Sequence, residues 1–134
     1  MRVVIDTNVL VSGTLNPHGS PGRVLDAAMS RSLRLLYDDR ILSEYRSVLL
    51  RPRFGFSRDY VEALTDFLTF TGEAIAAGPL RVILPDPSDV PFLEVAATGH
   101  AEALVTGNAR HFKPIRGRHG VFICSPASLI ERLS

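Results

Sequence analysis

The sequence contains very little cysteine, tryptophan or lysine. Cys124 is the single cysteine, there is no tryptophan, and Lys113 is the single lysine beside fourteen arginines. One thiol can form neither an internal disulfide nor a cysteine-based zinc site, because both need partners that the chain lacks. This cysteine usage is typical of a reducing cytoplasm, where we expect the protein to be located.

Long hydrophobic runs and an excess of one charge are also missing. The first apolar run ends at Asp6 and is too short for a signal-peptide core or a membrane span, so no membrane association is expected. Fifteen basic residues against 14 acidic ones leave a formal net charge of +1. A basic field over the whole chain is therefore excluded, and any contact with nucleic acid must be local.

Motifs for nucleotide binding and for nucleophilic catalysis are missing as well. The chain has no Gly-x-x-x-x-Gly-Lys and no Gly-x-Gly-x-x-Gly. It has no Gly-x-Ser-x-Gly, and Cys124 has no obviously placed histidine partner. Nucleotide cofactors and a nucleophilic serine or cysteine are thus disfavoured.

What is present is enough apolar material for one compact domain, which we predict over residues 1–134, since 46% of the residues are hydrophobic. Apolar runs predict strands at 2–5, 33–37, 81–84, 103–106 and 121–124. Amphipathic stretches predict helices at 21–30, 39–50, 57–75, 89–98 and 126–133. This alternation implies crossover connections. The fold class is therefore α/β, with three layers (α/β/α) and a central, mostly parallel sheet of four to five strands.

Carboxylates follow several predicted strands at their carboxyl ends, where open α/β sheets bind ligands. Asp6 follows the first strand, Asp86 and Asp89 follow the third, and Glu44 lies on the helix after the second. Converging carboxylates repel one another unless a hard cation such as Mg²⁺ or Mn²⁺ joins them. Such an ion activates water and neutralises charge on a phosphoryl oxygen, so the pattern indicates metal-dependent phosphate-ester chemistry.

Three segments resemble the PIN-domain ribonucleases in sequence, order and spacing. They are 3–10 (VVIDTNVL), 86–96 (DPSDVPFLEVA) and 103–108 (ALVTGN). The resemblance covers essentially the whole chain and is strongest to the branch of toxins from toxin–antitoxin pairs. It implies a PIN-like fold and a Mg²⁺- or Mn²⁺-dependent endoribonuclease acting on RNA, often a homodimer and often neutralised by an antitoxin protein encoded beside it.

The resemblance also implies site residues. The family's acids, which are both catalytic and metal-binding, fall on Asp6, Glu44 and Asp89. Two positions depart from the family pattern, since Val90 and Asn108 stand where an acid is common. We predict that Asn108 is catalytic through its amide oxygen. Position 111, where an Asp compensates in some relatives, is His111, and we predict that Glu94 restores a metal-binding carboxylate.

Residues beside these acids are candidates for binding RNA. Thr7 and Asn8 follow Asp6 directly, and their alternative role is turn bonding to their own backbone. Arg110 and Lys113 belong to a basic stretch at 110–119 that also contains Arg116. Such a stretch can bind RNA phosphates, and the alternative is a solvated loop.

Structural alternatives exist for the acids too. Asp6 and Asp89 stand where helix N-caps stand, and Glu44, four residues after Arg40, fits a solvated helix pair. A catalytically degenerate PIN-like module that binds RNA or protein is therefore the second hypothesis. A phosphohydrolase with a nucleophilic Asp is the third, and it is disfavoured because position 8 is Asn rather than Asp.

The helices at 40–50 and 57–75 carry a large amount of apolar surface. If one small sheet cannot bury both stripes, the remainder should form a dimer or antitoxin interface.

Overall fold

The computed structural model describes residues 1–115 and 117–134 and contains a parallel five-stranded sheet in the order β3-β2-β1-β4-β5. The strands are β1 Arg2–Ile5, β2 Arg34–Tyr37, β3 Glu73–Ala74, β4 Ala103–Val105 and β5 Ile123–Cys124. The α-helices are α1 Thr7–Leu15, α2 Ser20–Met29, α3 Asp39–Leu49, α4 Arg58–Thr71, α5 Val90–Thr98 and α6 Pro126–Leu133. Short 3₁₀ helices span Pro52–Phe54, Pro87–Asp89 and Ala109–Ile115. Helices flank the sheet, which confirms the predicted three-layer α/β/α fold.

Strand β1 lies at the centre of the sheet and determines where the predicted site forms. Val3 and Val4 are fully buried, as expected for a parallel strand covered on both faces. Ile5 pairs with Val105 of β4. The residues that follow these two strands therefore meet at the carboxyl edge of the sheet.

The third strand differs from the prediction. Residues 81–84 form no strand, and Ile83 is 91% exposed. Strand β3 lies earlier, at Glu73–Ala74, because α4 ends at Thr71 instead of continuing to residue 75. Gly72 stops the helix: a Cβ there would lie 2.5 Å from the Leu35 carbonyl oxygen, so only glycine lets the chain pass this close to β2.

Helix α1 was not predicted from the sequence. Its nine residues, TNVLVSGTL, include β-branched side chains and a glycine, which have low helix propensity. Tertiary packing supplies the missing stabilisation, since α1 packs on α2. A Cβ at Gly13 would lie 2.6 Å from the Pro21 carbonyl oxygen, so the glycine permits this close approach.

The apolar stripes of α3 and α4 are mostly buried within the chain itself. Their buried residues are Ile41, Leu42, Tyr45, Leu49, Val61, Leu64 and Leu68. Tyr60 and Phe70 of α4 stay 45% and 82% exposed. The apolar surplus predicted for a partner is therefore small on these helices. Within the described ranges, no helix is long and apolar enough to cross a membrane.

Candidate active site

Asp6 lies directly after β1 and is only 4% exposed. It occupies the N-cap position of α1, but its side chain makes no capping hydrogen bond. The Thr106 hydroxyl donates to Asp6 Oδ2 at 2.7 Å, and the Asn8 amide donates to the same oxygen at 3.4 Å. The Asp6 carboxylate is thus bound by the side chains of Thr106 and Asn8 and makes no capping bond to α1, which is contrary to the capping alternative.

Burial is the main electrostatic influence on Asp6. Loss of solvation raises the pKa of Asp6 from 3.8 to about 6, the Thr106 hydrogen bond opposes this rise, and the charge of Asp89 adds to it. A carboxylate that is costly to ionise where it stands is stabilised by a nearby cation.

Glu44 reaches the same place from helix α3. The Thr7 hydroxyl donates a hydrogen bond to Glu44 Oε2 and so ties α3 to the first turn of α1. Burial raises the pKa of Glu44, and the charges of Asp6 and Asp86 raise it further. The structure therefore brings Glu44 and Asp6 together, as the sequence predicts.

Asp89 completes the predicted trio. It is 6% exposed and precedes α5, yet its side chain makes no capping bond. Asp89 Oδ2 instead lies 3.0 Å from His111 Nδ1. Burial raises the pKa of Asp89 and the charge of Asp86 adds to this rise, whereas His111 opposes it.

Asp86 and His111 join Asp89 in a group that the sequence prediction did not include. Each of the three offers one ligand atom, and these atoms all lie within 4.8 Å of one another. Residues 86 and 89 are three apart, a spacing that places both on one side of the 3₁₀ helix Pro87–Asp89. The three-residue spacing from Asp89 is the feature of the sequence that could have indicated Asp86 as a member of this group. For His111, the corresponding feature is its position three residues after Asn108.

Glu94 has protein partners on both carboxylate oxygens. Arg40 Nη1 donates to Oε1 at 2.7 Å, and the Leu80 backbone N–H donates to Oε2 at 2.7 Å. Arg40 also pairs with Asp38 at 2.8 Å. These bonds account for a buried charge in an apolar helix without a metal ion. The role of Glu94 as a metal ligand stays a prediction that these contacts do not favour.

Asn8 and Asn108 lie where the ends of β1 and β4 meet. Asn8 Oδ1 accepts from the Gly107 N–H at 3.1 Å, and the Asn108 N–H donates to Thr106 Oγ1 at 3.0 Å. Asn8 and Asn108 both border a cavity of about 250 Å³. The side chains of Thr7 and Asn8 therefore bind other parts of the site rather than their own backbone.

The predicted RNA-binding cations Arg110 and Lys113 are exposed on the 3₁₀ helix Ala109–Ile115. They border a pocket of about 580 Å³ together with Phe122. Within residues 1–115 and 117–134, the lining of this pocket includes none of the acids described above. Arg116 lies outside the described residues.

The donor set fits a hard divalent cation. Asp6, Glu44 and Asp89 raise one another's pKa values, whereas Arg51 opposes the rise at Glu44 and His111 opposes the rise at Asp6 and Asp89. Carboxylate oxygens are the preferred ligands of Mg²⁺ and suit Mn²⁺ as well. A bound ion would offset the excess negative charge at this edge.

Comparison with known proteins identifies the family to which this chain belongs. The sequence profile of the PIN domain matches residues 2–110. The chain belongs to the PIN-domain family. PIN domains are generally nucleases, which places this chain in a family of hydrolases. Both the predicted resemblance and the predicted fold are thereby confirmed.

Two similar proteins extend the comparison. The uncharacterized protein MJ1680 of Methanocaldococcus jannaschii is 29% identical over 111 residues, which cover 81% of this chain and 71% of that protein. The crystal structure of VapBC2 from Rickettsia felis, bound to a DNA fragment from its promoter, matches with a TM-score of 0.61 at 18% identity. That match covers 93% of this chain and 98% of the other, and it supports the PIN-domain fold.

Proposed function

We propose that residues 1–134 form one PIN domain that hydrolyses RNA phosphodiester bonds internally with the help of Mg²⁺ or Mn²⁺. The observation that carries this proposal is the convergence of Asp6, Glu44 and Asp89 at the carboxyl edge of the sheet, where burial and mutual repulsion raise the pKa of each. Neither Asp acts as a helix cap, although both stand at cap positions. Helix capping therefore explains neither carboxylate.

Asp6, Glu44 and Asp89 would hold the ion. When bound, it supplies an activated water and neutralises charge on the phosphate under attack. Thr106 orients Asp6, and Thr7 orients Glu44, through the hydrogen bonds described above. Oriented carboxylates need no rearrangement when the substrate arrives, which lowers the cost of reaching the transition state.

The remaining predicted residues would bind the substrate. Asn108, exposed at the rim of the site, would instead have the predicted catalytic role and would coordinate the ion or hold a water molecule through its amide oxygen. Arg110 and Lys113 follow Asn108 on an exposed 3₁₀ helix and would bind phosphates farther along the RNA strand. Asn8, fixed against Gly107, would position the backbone of the RNA near Asp6.

The biological role that we propose is that of the toxin in a toxin–antitoxin pair in the cytoplasm. The similarity of fold to VapBC2, together with the family, supports this role. Tyr60 and Phe70, the exposed apolar residues of α4, would contribute to a homodimer or antitoxin interface.

An RNA-cleavage assay with purified protein and Mn²⁺ tests the enzymatic proposal. Asp6→Asn and Asp89→Asn should each abolish metal-dependent cleavage, because each removes one of a few anionic ligands. Asp66→Asn is the matched control, since Asp66 is exposed on α4 and should leave cleavage unchanged. RNA binding by the parent without cleavage, and without heat on titration with Mn²⁺, would instead identify a degenerate binding module.

A further inference from the structure

His111 provides the site with a nitrogen donor that the carboxylates lack. Its Nδ1 lies 3.0 Å from Asp89 Oδ2, and its side chain is 38% exposed. One edge of the ring therefore contacts Asp89, while the rest of the ring is partly accessible to solvent. Asp86 lies next to this pair, with one ligand atom within 4.8 Å of each of the other two. The three residues come from the two 3₁₀ helices on either side of α5 and β4.

The spacing of these atoms suits two ligands of one ion. Donors bound at about 2.1 Å and at right angles to each other lie about 3 Å apart, which is the separation of Asp89 Oδ2 and His111 Nδ1. Asp86 is fixed by its own turn, because its Oδ1 accepts from the Ser88 N–H at 3.0 Å and from the Ser88 hydroxyl at 2.8 Å. Two carboxylates are thus held beside one imidazole.

The chemistry of the donors discriminates between ions. Mg²⁺ selects oxygen ligands and retains much of its water, and Mn²⁺ also suits oxygen ligands, whereas a nitrogen ligand is bound more strongly by the later first-row transition ions. The imidazole nitrogen of His111 is a ligand that a transition ion binds more strongly than Mg²⁺ does.

We infer that Asp86, Asp89 and His111 form a metal site that binds a later first-row transition ion, such as Co²⁺, in preference to Mg²⁺, with His111 Nδ1 as the discriminating ligand. This inference deepens the proposed function, on which it rests for its biological meaning. The competing explanation is that His111 only donates a hydrogen bond to Asp89 and fastens one 3₁₀ helix to the other.

The variant His111→Asn separates these two roles. The Asn side-chain amide can place an N–H where the imidazole Nδ1 lies, so it can keep the hydrogen bond to Asp89 while removing the aromatic nitrogen ligand. His100→Asn is the matched control. His100 is exposed before β4 at the opposite end of the sheet and has φ +51°, a conformation that Asn tolerates well.

The experiment is calorimetric titration of the metal-free parent and both variants with Co²⁺, Mn²⁺ and Mg²⁺, together with the visible absorption of bound Co²⁺. We expect His111→Asn to weaken Co²⁺ about 10-fold or more, to weaken Mn²⁺ less, and to leave Mg²⁺ within about twofold of the parent. The Co²⁺ absorption should change in this variant and not in His100→Asn.

Equal effects on all three ions, or no effect on Co²⁺, would overturn the inference and leave His111 as a hydrogen-bond donor only. Thermal melting without metal checks that His111→Asn folds. If it does not fold, His111→Gln provides the second variant: its amide N–H can also donate to Asp89, and loss of the imidazole should lower the ratio of Co²⁺ to Mg²⁺ affinity. Cleavage of RNA with Mg²⁺ but no His111-dependent Co²⁺ binding would refute this inference alone. His111-dependent Co²⁺ binding without any cleavage would refute the proposed function alone.

Discussion

Replacing Asp6 with Asn should stabilise the metal-free protein at neutral pH. Burial raises the pKa of Asp6 from 3.8 to about 6, so the folded protein holds this proton more tightly than the unfolded chain. The stability gained from the proton is complete below pH 3.8 and is lost as the pH rises through about 6. Above that pH the parent buries a charged carboxylate, whereas the variant buries a neutral amide of nearly the same shape.

The magnitude follows from the difference between the two pKa values. A rise from 3.8 to about 6 corresponds to about 3 kcal/mol, and this sets the upper limit of the effect. The Asn side chain keeps an oxygen that can accept from Thr106, although its amide N–H groups need new partners. We therefore expect the free energy of unfolding of the variant, relative to the parent, to increase by about 1 to 3 kcal/mol between pH 4 and pH 7.

Urea unfolding in EDTA at several pH values between 4 and 8 measures this change. Asp66→Asn, which replaces an exposed carboxylate on α4, reports what the same substitution does away from the site. Mn²⁺ at about 100 times its Kd should then stabilise the parent by about 2.7 kcal/mol and the Asp6 variant far less. A variant that unfolds more easily than the parent at pH 7, while Asp66→Asn is unchanged, would refute the reasoning and make Asp6 a structural residue first.

Two further predictions concern the residues that depart from expectation. Glu94→Gln should lower the free energy of unfolding by about 1 to 3 kcal/mol, because Arg40 loses the more buried of its two charged partners, and should leave Mn²⁺ affinity unchanged. A large loss of Mn²⁺ affinity in calorimetry, with stability preserved, would show instead that Glu94 is a metal ligand. Asn108→Asp should tighten Mn²⁺ binding by adding an anionic ligand at the site rim. An unchanged Kd in the same titration would place residue 108 outside the coordination shell.

Local sequence patterns predicted much of the fold. The β-branched run at 2–5 and the capped helix at 126–133 were predicted with the bounds observed, because both depend on residues close together in the chain. Strand β3 escaped prediction because it is two residues long and depends on backbone pairing with Leu36 and Tyr37. Its position depends on Gly72, which looked from the sequence like a residue inside a longer helix.

The contacts of a site residue were predictable where the sequence motif and the sheet topology agreed. They were less predictable where the hydrogen-bond partner of the residue lies far away in the chain. Asp6 directly follows strand β1, so its position at the carboxyl edge follows from a parallel sheet, whereas Asp89 was placed there by its motif, because the strand predicted before it at 81–84 does not form. The partner of Glu94 is Arg40, which is 54 residues away and carries no local signal. His111 meets Asp89 across 22 residues, and only the packing of two 3₁₀ helices brings them together.

The pairing of β1 with β4 has a consequence for the order of events during synthesis. Asp6 is made before the hydroxyl that orients it, because that hydroxyl belongs to Thr106, which is 100 residues later in the chain. A growing chain that has not yet presented β4 cannot close this contact, and such distant pairings also form slowly once available. The carboxyl edge is therefore assembled late. For a protein proposed to cut RNA, the power to cleave would therefore arise only after the segment that carries Thr106 has been made.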